Sequence, residues 1–306
     1  MNFFTQAFWL GKVCFVNNVT INEIQRFSFD NTNVRGERVL LNSAYQEIIK
    51  RKQYPLSLEK LLGEFVAAIA LLRDIVKIDG VLSIQAKGNG FLSTLMTECD
   101  EHQNLRGIAQ WDESQDVPDT FSLKDVLEGG YLAITIQPRN GQRYQGIVEI
   151  VGDTLSECLE QYFSQSEQLP SRVWLAANGA QCGGLFLQRL PLEQAKEGDE
   201  DAWERFTHLA STVKEEELLG LETESLLHRL YHEEEVRLYD TKPMQFGCSC
   251  SRQRTLDAVM SLGSEEIREL LIEQGSVKVD CQFCAEKYEF KEDDLTDMLG
   301  DQAKTH

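Results

Sequence analysis

Two periodicities alternate along this chain. In "SLEKLLGEFVAAIALLRDIVK", Leu58, Leu61, Leu62, Phe65, Ile69 and Leu72 recur at helical spacing behind Ser57 as the expected cap, with Glu64, Arg73 and Asp74 among the polar positions. That pattern predicts a long helix packed in the core over a broad face. "NSAYQEIIKRKQYP" predicts a shorter amphipathic helix, opened by Asn42 or Ser43 and stopped before Pro55. "YLAITIQPRNGQRYQGIVEI" alternates with period two around Asn140-Gly141, a hairpin signal. "DTLSECLEQYFSQSEQLP" predicts a helix capped by Asp153 or Thr154, and "SRVWLAANGAQCGGLFLQRLP" a strand, turn and strand. "INEIQRFSFDNTNVRGERVLL" predicts a short turn of helix, a loop and a strand; "GVLSIQAKGNGFLSTLMTECD" a strand, a glycine turn and a helix. Strands and helices mixed without a βαβ rhythm predict an α+β class with an N-terminal sheet-and-helix sandwich domain.

The pattern changes after Pro191. Between Leu192 and Glu235 there are fourteen acidic residues against four basic. Apolar residues persist at helical spacing: Trp203, Phe206, Leu209 and Val213, then Leu218, Leu221, Leu226, Leu227 and Leu230. Helices of this kind dock one face on a neighbour, and the clustered charge with Gly198 and Gly220 predicts weak docking. A solvated helical linker and a conditionally folded segment fit equally well. The expected organisation is an extension at 1–20, an N-terminal α+β domain at 21–191, a helical acidic linker at 192–244, and a small C-terminal four-cysteine zinc-binding domain at 245–306.

A chain of 306 residues holds one sizeable core plus a smaller module. The formal charge of -20 argues against nonspecific nucleic-acid binding, which needs Lys and Arg to neutralise phosphates. No apolar run reaches the roughly 18 to 20 residues of a membrane span. The opening "MNFFTQAFWLGKVCFVNN" has no positive n-region and no small-x-small cleavage site, and Gln6 and Lys12 interrupt it. It reads as a cytosolic extension, attributable to a start codon assigned too far upstream. Cys14, Cys99, Cys158 and Cys182 stand alone among apolar or helical residues and read as small buried hydrophobes of a reducing compartment, the cytoplasm.

The other four cysteines are paired, as "FGCSC" and, thirty residues after Cys250, "VDCQFCAEKY". Four thiolates satisfy tetrahedral zinc with no position left open. The pairs bracket a helix, "SEEIRELLIEQ" with Ser264 as cap, and "SVKVDCQFCAEKYEF" reads as two short strands around a C-x-x-C turn. Side chains at i and i+2 of an extended chain point the same way, so Cys248 and Cys250 reach one ion or, with strain, each other. Three uses stay open on the residues alone. They are a static zinc ribbon, a disulfide oxidoreductase (which would want C-x-x-C at a helix N-terminus) and a zinc-loaded redox switch.

"CSCSRQR" with "CQFC", preceded by "LLHRLYHEEEVRLYD", closely resembles the 33 kDa chaperonin family of redox-regulated bacterial holdases. "NVRGERV", "GNG", "RGIAQW", "ITIQPRNGQRYQGIVEIVGDTLSECLEQYFSQSEQLP" and "GG" before "LFLQ" extend the resemblance from about Ile21 to near Phe290; the first twenty residues depart from it. The resemblance implies one Zn(2+) per chain on Cys248, Cys250, Cys281 and Cys284 in the reduced form. It implies two disulfides on oxidation, Cys248–Cys250 and Cys281–Cys284, and a linker, here about Leu192 to Asp240, that unfolds once zinc leaves. It further implies an oxidised homodimer that binds unfolding client proteins without ATP. The apolar linker face, with Trp203, Phe206, Leu218 and Leu230, is expected either to bind clients or to uncover the sheet that does.

An enzyme is not expected. There is no nucleophile elbow, H-E-x-x-H or complete phosphate loop, and in Gly88-Asn89-Gly90 the third small residue of a dinucleotide fingerprint is replaced by Ser93. His208, His228 and His232 lie in acidic helices, where a solvated or capping role is the default. The alternative is a static zinc-ribbon module for a nucleic acid or protein partner. Arg252 and Arg254 encourage it, and the net charge opposes nucleic acid.

Overall fold

The computed structural model describes residues 21–150, 152–191 and 201–295. The extension with Cys14, the beginning of the linker at 192–200 and the end of the chain fall outside them.

The long helix organises everything else. Helix α2 (Leu56–Ile75) buries fourteen of its residues, on every side of the helix. The cause is a two-sided environment: α2 packs against β2, β8 and β9 of one sheet and β3, β4 and β5 of another. The first sheet runs β10 (Val236–Leu238), β1 (Asn22–Phe29), β2 (Val34–Leu41), β9 (Cys182–Arg189), β8 (Ser171–Ala177), with β11 (Lys242–Pro243) also on β1. The second runs β12 (Gln245–Phe246), β5 (Asn104–Trp111), β4 (Leu92–Cys99), β3 (Gly80–Lys87), β6 (Tyr131–Pro138), β7 (Tyr144–Glu149). All pairs are antiparallel except β12 with β5. This is the expected α+β sandwich, with α2 running through its central layer.

Several local expectations are corrected. Ser57 is not the cap of α2; the helix begins at Leu56 behind Pro55, with no side-chain cap. Arg73 and Asp74 are buried, and both are satisfied. Arg73 donates to the carbonyls of Asp100, Val76 and Ile78 at 2.9, 3.1 and 2.7 Å, and Asp74 accepts from Arg26 at 2.8 Å. Residues 22–29 form β1, not a helical turn, and 92–99 form β4, not a helix. Gly88 and Gly90 are a packing turn: a Cβ at either would lie 1.8 or 2.2 Å from a carbonyl oxygen at the end of α3 (Leu123–Leu127). Helix α1 (Ser43–Ile49), capped by Asn42, and the hairpin β6–β7 stand as the pattern predicted. Helix α4 (Leu155–Tyr162) carries a complete capping box between Thr154 and Glu157.

The acidic segment forms α5 (Ala202–Ala210), α6 (Glu215–Gly220) and α7 (Thr223–Tyr231). They lie on the face of the first sheet opposite α2, in a cluster of Phe27, Phe29, Val34, Leu185 and Leu187 with Phe206, Leu218, Leu226, Leu227, Leu230 and Tyr231. Phe206 stacks on Phe29 at 3.8 Å between centroids. Beyond α7 the expected helical linker gives way to strand, a correction for residues 236–243. Here β10 and β11 pair with β1, and β12 crosses to the second sheet, so residues 236–246 form a strap that binds both sheet edges.

Candidate metal centre

After β12 the chain stays extended through Cys248 and Cys250, then enters α8 (Arg252–Met260), whose N-cap Ser251 accepts from the Arg254 N–H. Helix α9 (Ser264–Gln274) starts behind Gly263, so Ser264 is its first residue and not its cap. It leads to the hairpin β13 (Val277–Asp280) and β14 (Lys287–Phe290), with Cys281 and Cys284 at its turn. Two backbone bonds of 2.8 Å shape that turn, Cys281 N–H to Glu286 and Ala285 N–H to Cys281. Ala285 closes it at φ 59°, a left-handed conformation that L residues rarely adopt. A small core of Val259, Ile267, Val277, Phe290 and Leu295 supports the hairpin. Arg252 joins α8 to it, donating to the Glu289 carbonyl at 2.8 Å and covering the Phe290 ring. Arg254 donates to the Ser249 carbonyl at 2.9 Å, so both arginines have partners inside the module.

The four sulfurs, separated by thirty residues of chain, lie within 4.8 Å of one another. Cys248 and Cys281 approach to 3.7 Å, Cys250 and Cys284 to 3.3 Å. Four thiolates at about 2.3 Å around one tetrahedral ion stand roughly 3.8 Å apart, so spacing and donor set both fit zinc. No other cluster of metal-ligating side chains occurs among the described residues.

The local field is uneven. Burial opposes ionisation of Cys248, but the Cys250 N–H and the Arg106 guanidinium outweigh it and hold this thiol down at about 7. Burial, then Cys248, raises Cys250, and burial with the other three sulfurs raises Cys284. The hydroxyl of Tyr288 donates to Cys250 at 3.2 Å, which pushes the phenol's own ionisation upward. The surroundings of Cys248 therefore favour its thiolate, and Cys250 and Cys284 gain their charge by sharing a cation. Cys99, Cys158 and Cys182 are buried, and burial raises all three thiols, Cys99 to about 12. That suits inert core residues.

Of the residues expected on the linker face, Phe206, Leu218 and Leu230 are buried against the first sheet, and Trp203 is half-buried at its rim. Sequence reasoning missed the contacts between the cysteine module and the second sheet. Arg106 of β5 places Nη1 3.6 Å from the Cys248 sulfur and covers the Phe283 ring at 4.3 Å; Gln110 donates to Gln282 at 2.9 Å. No local signal marks these partners, which lie more than a hundred residues from the cysteines.

The Hsp33 protein family matches this chain over residues 22–291, a span that contains both sheets, the acidic helices and all four clustered cysteines. The chain belongs to the Hsp33 family. A 33 kDa chaperonin of Ectopseudomonas mendocina is 50% identical over 279 residues, covering 90% of this chain and 94% of that protein. One from Pseudomonas syringae pv. tomato is 47% identical over 283 residues, covering 92% and 94%. The crystal structure of the 33 kDa chaperonin from Thermotoga maritima superposes with a TM-score of 0.79 at 18% identity, over 93% of this chain and all of that one. The Hsp33 fold is thus kept where little sequence is shared. Hsp33 proteins are heat-shock chaperones, a non-enzymatic class, and among the described residues of this one no helix is long and apolar enough to cross a membrane.

Proposed function

We propose that this chain is a redox-gated, ATP-independent holdase of the cytoplasm. Reduced, it holds one zinc on Cys248, Cys250, Cys281 and Cys284 and is inactive. Oxidation joins Cys248 to Cys250 and Cys281 to Cys284. The four thiolates give up four electrons to two equivalents of a two-electron oxidant such as peroxide or hypochlorite, and the cation departs as Zn(2+). Bound zinc supplies the folding free energy of its module, on the order of 10 kcal/mol in small domains. Without that organisation the strap loses its anchor, and the acidic helices lift from the first sheet. The freed surfaces, with Phe206, Leu218 and Leu230 on one side and Phe27, Phe29 and Leu187 on the other, then bind unfolding proteins, and the open form is a homodimer. The surrounding acidic charge keeps it soluble.

The observation that carries this reading is the apolar contact between α5–α7 and the first sheet, a large hydrophobic surface already built and covered by a segment of high charge. The test is light scattering from a thermally aggregating client mixed with zinc-loaded reduced protein or with oxidised, zinc-free protein. Suppression by the oxidised form alone is expected. Equal behaviour of the two forms would leave a static zinc module in its place.

A further inference from the structure

The structure assigns a role to Arg106 that the zinc ligands cannot fill themselves. We propose that Arg106 is the joint between the cysteine centre and the body of the protein: it holds the module and strap closed while the sulfurs are thiolates and releases them when they are disulfides. The proposal rests on the redox-gated reading and adds the contact through which it acts.

The geometry is three-sided. Nη1 lies 3.6 Å from the Cys248 sulfur, the guanidinium covers the Phe283 ring inside the C-x-x-C turn at 4.3 Å, and Nε donates to Glu98 at 2.6 Å. Glu98 is the cross-strand partner of Arg106, so the cation is fixed to the second sheet and not to the module. Its side chain is only 16% exposed, which spares these interactions most of the screening that weakens surface charges. The strap ends at the same place: β12 pairs Phe246 with Leu105, and the Gly247 N–H donates to the Leu105 carbonyl at 3.0 Å.

Charge balance makes the contact a reporter. Four thiolates and one divalent cation carry a net charge of -2 beside the guanidinium. Two disulfides carry none, since the four electrons have gone to the oxidant and the cation to solvent. The attraction at Nη1 therefore vanishes with oxidation, and the strained short loop of a Cys281–Cys284 disulfide must also carry Phe283 to a new position. Arg106 is then left with Glu98 alone, and the end of the strap keeps only its short β12–β5 pairing on the second sheet.

The test uses the full chain, reduced and with zinc content measured, digested by a glutamate-specific protease that reads opening at Glu215–Glu217 and Glu233–Glu235. Arg106→Ala should keep its zinc yet be cut in the linker about tenfold faster than the parent. Arg106→Lys, which keeps the charge, should restore most of the protection. Zinc-loaded Arg106→Ala as resistant as the parent would overturn the proposal; so would Arg106→Lys as open as Arg106→Ala. Should Arg106→Ala fail to fold or to load, Phe283→Leu removes the ring without touching a ligand and must show the same accelerated cleavage. Absence of holdase activity in the oxidised parent would instead sink the redox-gated reading, and the digestion of the reduced proteins would still decide the joint.

Discussion

Glu37 shows what a single buried carboxyl does to this fold. It lies on the α2 side of β2, accepting from Arg26 at 3.2 Å, with Asp74 beside it and Lys242 of the strap paired to Asp74. Burial, then the Asp74 charge, raise Glu37 to about 8, while Lys242 and Arg26 overcome burial and keep Asp74 low. Between its ordinary value of 4.5 and about 8, Glu37 keeps a proton in the fold that the unfolded chain has lost. Unfolding there releases a proton, so this residue makes stability fall as pH rises through the window and level off above it. Glu37→Gln should raise Tm by about 2–4 °C at pH 8.5, roughly 1 kcal/mol, and give no gain at pH 4.5, as scanning calorimetry at the two values would show. Arg38, its neighbour in β2, points the other way. Fully buried and held down to about 10 by desolvation, it donates to the carbonyls of Leu218 and Leu221 at the end of α6. Arg38→Ala would leave those carbonyls dry and unpaired. We expect a loss of about 2–3 kcal/mol in the docking of the acidic helices, measured as earlier loss of tryptophan fluorescence on heating the reduced protein.

At the scale of elements, legibility depended on how many faces each one buries. The hairpin β6–β7 and the central helix were plain in the pattern, because alternation and helical spacing there are long and uninterrupted. Strand β1 was not. It buries Ile24 toward α2 but Phe27 and Phe29 toward the acidic helices, and a strand covered on both faces loses its period of two. Strand β4 misled for another reason: an irregularity between Leu92 and Thr94 shifts its register, so Leu92, Leu95 and Met96 fall at helical spacing in a strand. The four cysteines were legible because C-x-C and C-x-x-C are local. The partners of the module on β5, and the strap, were not, because pairing across more than a hundred residues leaves no mark in either segment.

In the whole molecule three clusters are arranged in series: the sandwich core around α2, the acidic helices on its outer face, and the cysteine module, with the strap running between the last two. This order predicts a graded response to losing the metal. Chelating zinc from the reduced protein should abolish amide-exchange protection first in β13, β14 and the strap, then in α5–α7, while α2 and its neighbouring strands stay protected. Simultaneous loss of protection in α2 would contradict the arrangement. The strap also leaves a second legacy when it lifts. Tyr239 and Met244 donate to the carbonyls of Arg26 and Asn22, and Gln245 and Gly247 to those of Gln103 and Leu105. Once these bonds open, β1 and β5 become raw sheet edges whose hydrogen-bonding groups recognise extended backbone whatever side chains it carries. An opened chain of this design could thus capture strangers by strand addition as well as by greasy contact, reading the one feature that every unfolding protein shares.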